Sequence, residues 1–233
     1  MQNVIKGISS MATRQLLAEL AAAFERQSGC VASFDSVGGV DAVKRIQAGE
    51  AFDLAVLGSD AIDKLIATGH IRAGSRRDLA LSGVAVAVRA GAVLPDISSE
   101  DAVRLAVRSA RSISYSTGPS GVALAALFQR WGIAHEIQSR MVQAPPGVPV
   151  ATLLASGQVE LGFQQLSELL HVDGVAVVGP LPPAIQITTT FSAGIPTRVS
   201  SDSSTAKPVR ALLDFMTSPL AAESKRRHGM APA

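Results

Sequence analysis

Apolar positions along the chain fall into two alternating patterns. A short continuous run at residues 4–8 is followed by "TRQLLAELAAAFERQSG", in which Leu16, Leu17, Leu20 and Phe24 recur every three to four residues. This predicts a strand over 4–8 and an amphipathic helix over 11–27 that stops near Gly29. The alternation repeats as strand 30–34, helix 40–48, strand 54–57 and helix 60–68. Strand 54–57 has no polar interruption, as a parallel strand covered on both faces requires. A second block opens on the long apolar run "LSGVAVAV" at 81–88. It continues with helix 100–108, strand 112–115, helices 121–131 and 148–156, and strands 161–164 and 175–178. The β-rich "ITTTFSAGIP" at 187–196 leads through a polar linker, 200–204, to a helix at 207–216.

Short connections between alternating strands and helices predict an α/β protein, each block a mostly parallel sheet flanked by helices. Two long strands bracket the middle block. The economical topology is two lobes, residues 1–82 plus 193–233 and residues 83–192, joined by two crossover strands, with the C-terminal helix rejoining the first. Such an arrangement places a ligand cleft between the lobes, at the carboxyl ends of strands. Four helix starts there carry small or hydroxyl residues: Ser9 and Ser10; Ser36, Gly38 and Gly39; Ser116, Thr117, Ser120 and Gly121; and Gly147 with Val148. Helix N-termini offer unpaired N–H groups and partial positive charge, so these loops can hold an anion without metal or cofactor. Each loop taken alone reads as an ordinary helix cap rather than a ligand contact; their convergence favours a binding cleft.

Composition narrows the alternatives. The 233 residues are 47% hydrophobic and 17% charged, with a net charge of +2 and 4% aromatics, and no basic stripe or stacking platform for nucleic acid appears. The apolar runs are too short to span a bilayer. A single cysteine, Cys30, allows no internal disulfide and reads as a small core residue. The start has no basic segment followed by an apolar one. The expectation is a periplasmic mature chain without its signal peptide, or a cytoplasmic protein if Met1 is the native start. Lys225-Arg226-Arg227 and His228 read as a solvated tail helix. No phosphate loop, dinucleotide fingerprint, HExxH or nucleophile elbow occurs.

The order "LLAELAAAFERQSG", "AVKRIQAGEAFDLAVLGSDAIDKLI", "ISYSTGPSGVALAALFQRWGI", "VATLLASGQVELGFQQLSEL", "TTTFSAGIP" and "ALLDFMTSPLAAESKRRHGMAPA" resembles, over essentially the whole chain, the molybdate-type substrate-binding proteins of bacterial ABC transporters. The resemblance implies the two-lobe type II periplasmic-binding-protein fold, a small anionic ligand, an ABC permease as partner and a monomer. It also implies that Ser9 or Ser10 contacts the ligand, and that backbone amides of the Pro119-Ser120-Gly121 loop and of the fourth loop do too. Two positions depart. The family's second ligand serine falls on Gly39, with Ser36 the nearest substitute, and its late-strand tyrosine falls on Gln165 in "GFQQ". Gly39 makes room, and Gln164 or Gln165 adds an amide that donates to a carboxylate or accepts from a hydroxyl. An organic di- or tricarboxylate is therefore expected over molybdate or tungstate.

The chain is also similar to aconitate isomerase, which shares this fold, so an isomerase is the alternative to a binding protein; a cytosolic ligand sensor is another. Allylic proton transfer needs a general base and donors for the developing charge. Lys6, Asp41 and Tyr115 are the base candidates, followed by His70 and His135, with Arg14 or Arg89 as carboxylate clamps. His70, His135 and His171 also read as solvated turn residues, and Asp41 as a first-turn carboxylate favoured by the helix dipole.

Overall fold

The computed structural model describes residues 4–145, 147–199 and 205–233. The predicted linker 200–204 and Met1 lie outside them. The elements in chain order are β1 (Val4–Ser10), α1 (Arg14–Ser28), β2 (Val31–Val37), α2 (Gly39–Gln47), β3 (Leu54–Gly58), α3 (Ser59–Ala67) and β4 (Arg77–Arg89). Then follow α4 (Glu100–Ser109), β5 (Ile113–Tyr115), α5 (Pro119–Arg130), α6 (Ala134–Ile137), β6 (Met141–Gln143), α7 (Val150–Ala155), β7 (Leu161–Gln165), α8 (Leu166–Leu169) and β8 (Val175–Pro180). The chain closes with β9 (Thr188–Gly194), α9 (Ala206–Thr217), α10 (Ala222–Arg227) and β10 (Met230–Pro232). Two compact units form, Met1–Leu81 with Thr190–Ala233 and Ser82–Thr189.

In the first unit β1 pairs in parallel with β2 and with β3, and β9 runs antiparallel to β3. Alternation along the strands sends Ile5, Leu54 and Val56 to the face covered by α1 and α9, and Ile8, Ala55 and Leu57 to the face covered by α2 and α3. In the second unit β5 is parallel to β6 and β7, while β7 and β8 run antiparallel to β4. Val84, Val86, Val88 and Phe163 face α4 and α5, and Ala85 and Ala87 face α7. The central strands β3 and β4 are thus coated on two sides, the physical reason that Leu54–Leu57 and residues 83–88 are apolar without interruption.

The predicted elements appear with shifted ends. The first helix opens as a 3-10 turn, Met11–Thr13, and ends at Gly29 (φ +70°), whose N–H donates to the Glu25 carbonyl. The helix expected from 148 begins at Val150, because the Val148 N–H donates to the Pro145 carbonyl and closes a turn first. Strands β6 and β10 and helices α6 and α8 are too short to give a periodic signal.

The basic C-terminal segment is not a solvated tail. The Glu19 carboxylate on α1 accepts hydrogen bonds from Ser224 Oγ (2.7 Å), Arg227 and His228 Nε2 (2.8 Å). The Ser224 and Arg227 bonds, ahead of that from His228, hold the Glu19 carboxyl at about 2, against an ordinary 4.5. Lys225 is 2% exposed, and burial pushes its ammonium below the ordinary lysine range. Met216 and Met230 complete this packing. Charge alone misreads the segment, since α10 turns one basic residue inward and ties two others to a carboxylate.

Candidate functional site

In the first unit the parallel register sets Ser9 opposite Ser36. Side chains paired this way share a face, and their hydroxyl oxygens lie 2.8 Å apart. Ser9 is fully buried and Ser10 nearly so, at 8% exposed. The Ser10 hydroxyl finds no partner among the described residues, and the Ser10 carbonyl accepts from Thr13 Oγ1. Neither serine caps the helix: the helix-start residues Ser10 and Thr13 make no side-chain cap bond, contrary to the reading of Ser9 and Ser10 as caps. Gly38 precedes α2 and Gly39 opens it, and a Cβ added at Gly39 would meet nothing within 4 Å.

In the second unit β5 delivers Tyr115 and then Ser116, Thr117 and Gly118 to the start of α5. A Cβ at Gly121 would lie 1.8 Å from the Ser116 carbonyl oxygen, so this loop can fold back on its helix only over glycine. Ser116 Oγ and Ser120 Oγ stand 3.4 Å apart, and the Gly121 and Val122 amides donate to the Gly118 carbonyl. Ser120 is buried and Thr117 exposed. Again no hydroxyl caps the helix, whereas at α4, away from these loops, Ser99 does so by accepting from Ala102 N.

The two glutamines separate by face. Gln165 pairs with Val84, on the side of Phe163 and α5; Gln164 pairs with Ala85, on the side of α7. Gln164 is a tie between elements: its Oε1 accepts from Ala151 N (3.4 Å) and its Nε2 donates to Glu168 Oε1 (2.9 Å). Gln165 Nε2 donates to Thr189 Oγ1 (2.7 Å), while its Oε1 is buried without a partner among the described residues. In the fourth loop Gly147 takes φ +79°, and Gly147 and Val148 stand at the surface.

The remaining candidates are placed less favourably. Lys6 is exposed in the amino-terminal half of β1, its backbone N–H on Asp53. Asp41 faces Lys44 at 3.9 Å in the first turn of α2. Tyr115 packs against the α5 core and lines, with Phe128, His135 and Met141, a cavity of about 370 Å³. Arg14 is exposed at the first residue of α1. Arg89 is not a clamp for this end of the sheet: it lies beyond Val88, which pairs with Leu161 at the opposite end of β7 from Gln165. His70 Nδ1 is 3.0 Å from Thr68 Oγ1, His171 sits in a turn with φ +59°, and His228 binds Glu19. Sequence reasoning did not single out Thr189, which meets Gln165 from 24 residues away, or Glu168, which meets Gln164 from the next turn of chain.

A family model described as bacterial extracellular solute-binding protein matches residues 5–231. The chain belongs to this family. Its fold is that of the type II periplasmic binding proteins, as the sequence resemblance implied. The periplasmic molybdate-binding protein of Azotobacter vinelandii superposes with a TM-score of 0.79 at 21% identity, covering 98% of this chain and 99% of that one. PEB3, known from Campylobacter jejuni, in its L-phospholactate-bound structure superposes with a TM-score of 0.73 at 11% identity, over 98% and 100%. Among curated proteins, aconitate isomerase of a Pseudomonas species is 35% identical, over 97% of this chain and 86% of its own length. As a family member, the chain has, among its described residues, no helix long and apolar enough to cross a membrane.

Proposed function

We propose that this protein is a periplasmic binding protein for a small organic polycarboxylate of the aconitate class, serving an ABC permease. The reading rests on the strand-end loops of each unit taken by itself. One observation carries the reading: the hydroxyls at the strand ends are spent on no helix cap, and Ser10 keeps a nearly buried oxygen without a partner. A buried hydroxyl left unpaired costs about 1–3 kcal/mol, which a ligand carboxylate would recover. Gln165 and Gly39, standing where molybdate-type proteins carry tyrosine and serine, favour a larger ligand than a metal oxyanion. Isothermal titration with trans-aconitate, cis-aconitate, molybdate and sulfate tests this. Tighter binding of aconitate supports the reading; preferential binding of molybdate or sulfate, or no binding of either aconitate, overturns it.

A second reading, turnover of cis- and trans-aconitate, is favoured by the 35% identity to aconitate isomerase. Proton NMR of trans-aconitate in heavy water, with protein far below ligand, distinguishes it. An enzyme converts many equivalents and puts deuterium into the allylic position; a binding protein leaves the spectrum unchanged.

A further inference from the structure

The cavity beside Tyr115 lies wholly within the second unit, on the flank where α5 and α6 cover β5 and β6. Its volume of about 370 Å³ falls inside the range of small-molecule sites, about 300–1,000 Å³. The floor is Phe128 and Ile137, 1% and 0% exposed, and the sides are the half-buried Tyr115 and Met141. Ala125 on α5 and Ala134 on α6 border it, so the space exists because both helices carry a methyl group where a longer side chain would fill it. The floor is held in place: Phe128 meets Phe163 edge-on at 6.0 Å and Trp131 at 5.8 Å between ring centroids, and Trp131 Nε1 donates to Glu100 Oε1 at 2.6 Å. Around the rim stand the Tyr115 hydroxyl and the side chains of Gln129, His135 and Gln138, none hydrogen-bonded to another described residue. No residue of the wall carries a permanent charge, and the neighbouring Arg108, Glu136 and Arg140 are ion-paired with one another.

We propose that this cavity is a second ligand site, separate from the strand-end loops, for a small uncharged planar aromatic molecule bearing a hydrogen-bonding group at its edge. The walls select the ring. Two aromatic side chains and a thioether attract an aromatic ring beyond the area they bury, through offset or edge-on stacking and sulfur contact. The rim selects the substituent. A tyrosine hydroxyl, a neutral imidazole and two primary amides each donate and accept, so a ligand amide or hydroxyl finds complements of both kinds. The lack of a free cation selects against an anion, which would surrender its hydration here with no charge to replace it. The strand-end loops offer the reverse chemistry, hydroxyls and backbone N–H groups at helix starts, so the two sites take different ligands.

The probe is benzamide, compared with cyclohexanecarboxamide, which keeps the amide and lacks the aromatic ring. Both are titrated into the full chain, followed by amide proton–nitrogen NMR spectra and by the fluorescence of Trp131, the only tryptophan. Benzamide is expected to shift the Ala125, Phe128 and His135 amides saturably with a millimolar or lower Kd. The saturated amide should bind at least about threefold more weakly. Ala125→Leu fills the cavity from α5 with another good helix former, and should cost more than about tenfold in benzamide affinity without lowering the melting temperature. Should it fail to fold, Ala134→Leu fills the same space from α6. The absence of a saturable shift in wild type overturns the site, and equal binding of the two amides overturns the aromatic class. Undiminished binding by a folded filled variant overturns the placement. Displacement of benzamide by trans-aconitate, expected not to occur, overturns the separateness of the two sites.

Discussion

Replacing Gly121 with alanine sets two opposed effects in one substitution. Alanine is the better helix former, by about 1 kcal/mol at an ordinary interior position. Here, however, the added Cβ would lie 1.8 Å from the Ser116 carbonyl oxygen and 2.9 Å from its carbon. Both are backbone atoms, so no side-chain rotation relieves the clash, and the loop must withdraw by at least about 1 Å to reach tolerable contact. Overpacking of this kind costs about 1–3 kcal/mol, and here it also separates the Ser116 and Ser120 hydroxyls, now 3.4 Å apart. The steric term wins, and Gly121→Ala is expected to destabilise the protein by about 1–2 kcal/mol, a fall in Tm of roughly 2–8 °C for a chain of this size. Because the loop is part of the proposed anion site, affinity for trans-aconitate should drop about tenfold, or about 1.4 kcal/mol. Thermal unfolding followed by circular dichroism and calorimetric titration measure the two. A variant as stable as wild type, or more stable, with unchanged affinity would show that the loop shifts at no cost, and would refute both the packing argument and the loop's role.

Ser9→Ala and Ser36→Ala should each weaken trans-aconitate binding about tenfold in calorimetry, and the double variant should lose less than the sum, because the two hydroxyls act as one hydrogen-bonded pair. Additive losses would separate them. Glu19→Gln should cost about 1 kcal/mol at neutral pH, discounted for the partial exposure of the cluster. The folded carboxyl sits at about 2 against an ordinary 4.5, so its contribution is complete above pH 4.5 and disappears as pH falls through 2. Denaturant midpoints of wild type and Glu19→Gln should therefore converge over that window, and a constant gap down to pH 2 would contradict the assignment. Lys225→Met should raise stability at neutral pH and flatten its rise toward alkaline pH: burial depresses the folded-state value, so the unfolded chain binds the extra proton below the ordinary 10.5. Urea titrations at pH 7 and pH 10 check the sign.

The fold was legible because parallel, doubly covered strands leave an unmistakable mark. "DLAVLG" and "LSGVAVAV" carry no polar alternation, and the helices between them repeat at 3.6 residues. Helix stops were legible where glycine occupies a left-handed position, as at Gly29. The loops Ser9–Ser10, Ser36–Gly39 and Ser116–Gly121 were legible as small and polar residues at helix starts. Whether their hydroxyls cap helices was not, since a cap and a ligand contact use the same residue types; only the hydrogen bonds separate Ser99, which caps, from Ser9, Ser10 and Ser120, which do not. The segment around Lys225 was misread because composition carries no information on which side of a short helix meets the core.

The sequence by itself determined the alternation of strands and helices, the two-block order and the chemistry offered at the strand ends, because these depend on periodicity and residue type within some twenty neighbouring positions. Only the tertiary structure decided which of those groups meet. Strand register brings Ser9 to Ser36 across the chain between them and turns Gln164 and Gln165 to opposite faces of one sheet. Pairing across the fold ties Gln165 to Thr189, and Glu19 to Ser224, Arg227 and His228. The physical reason is that a hydrogen bond is decided within a few tenths of an ångström by packing among distant segments, and no local pattern of residues encodes that distance.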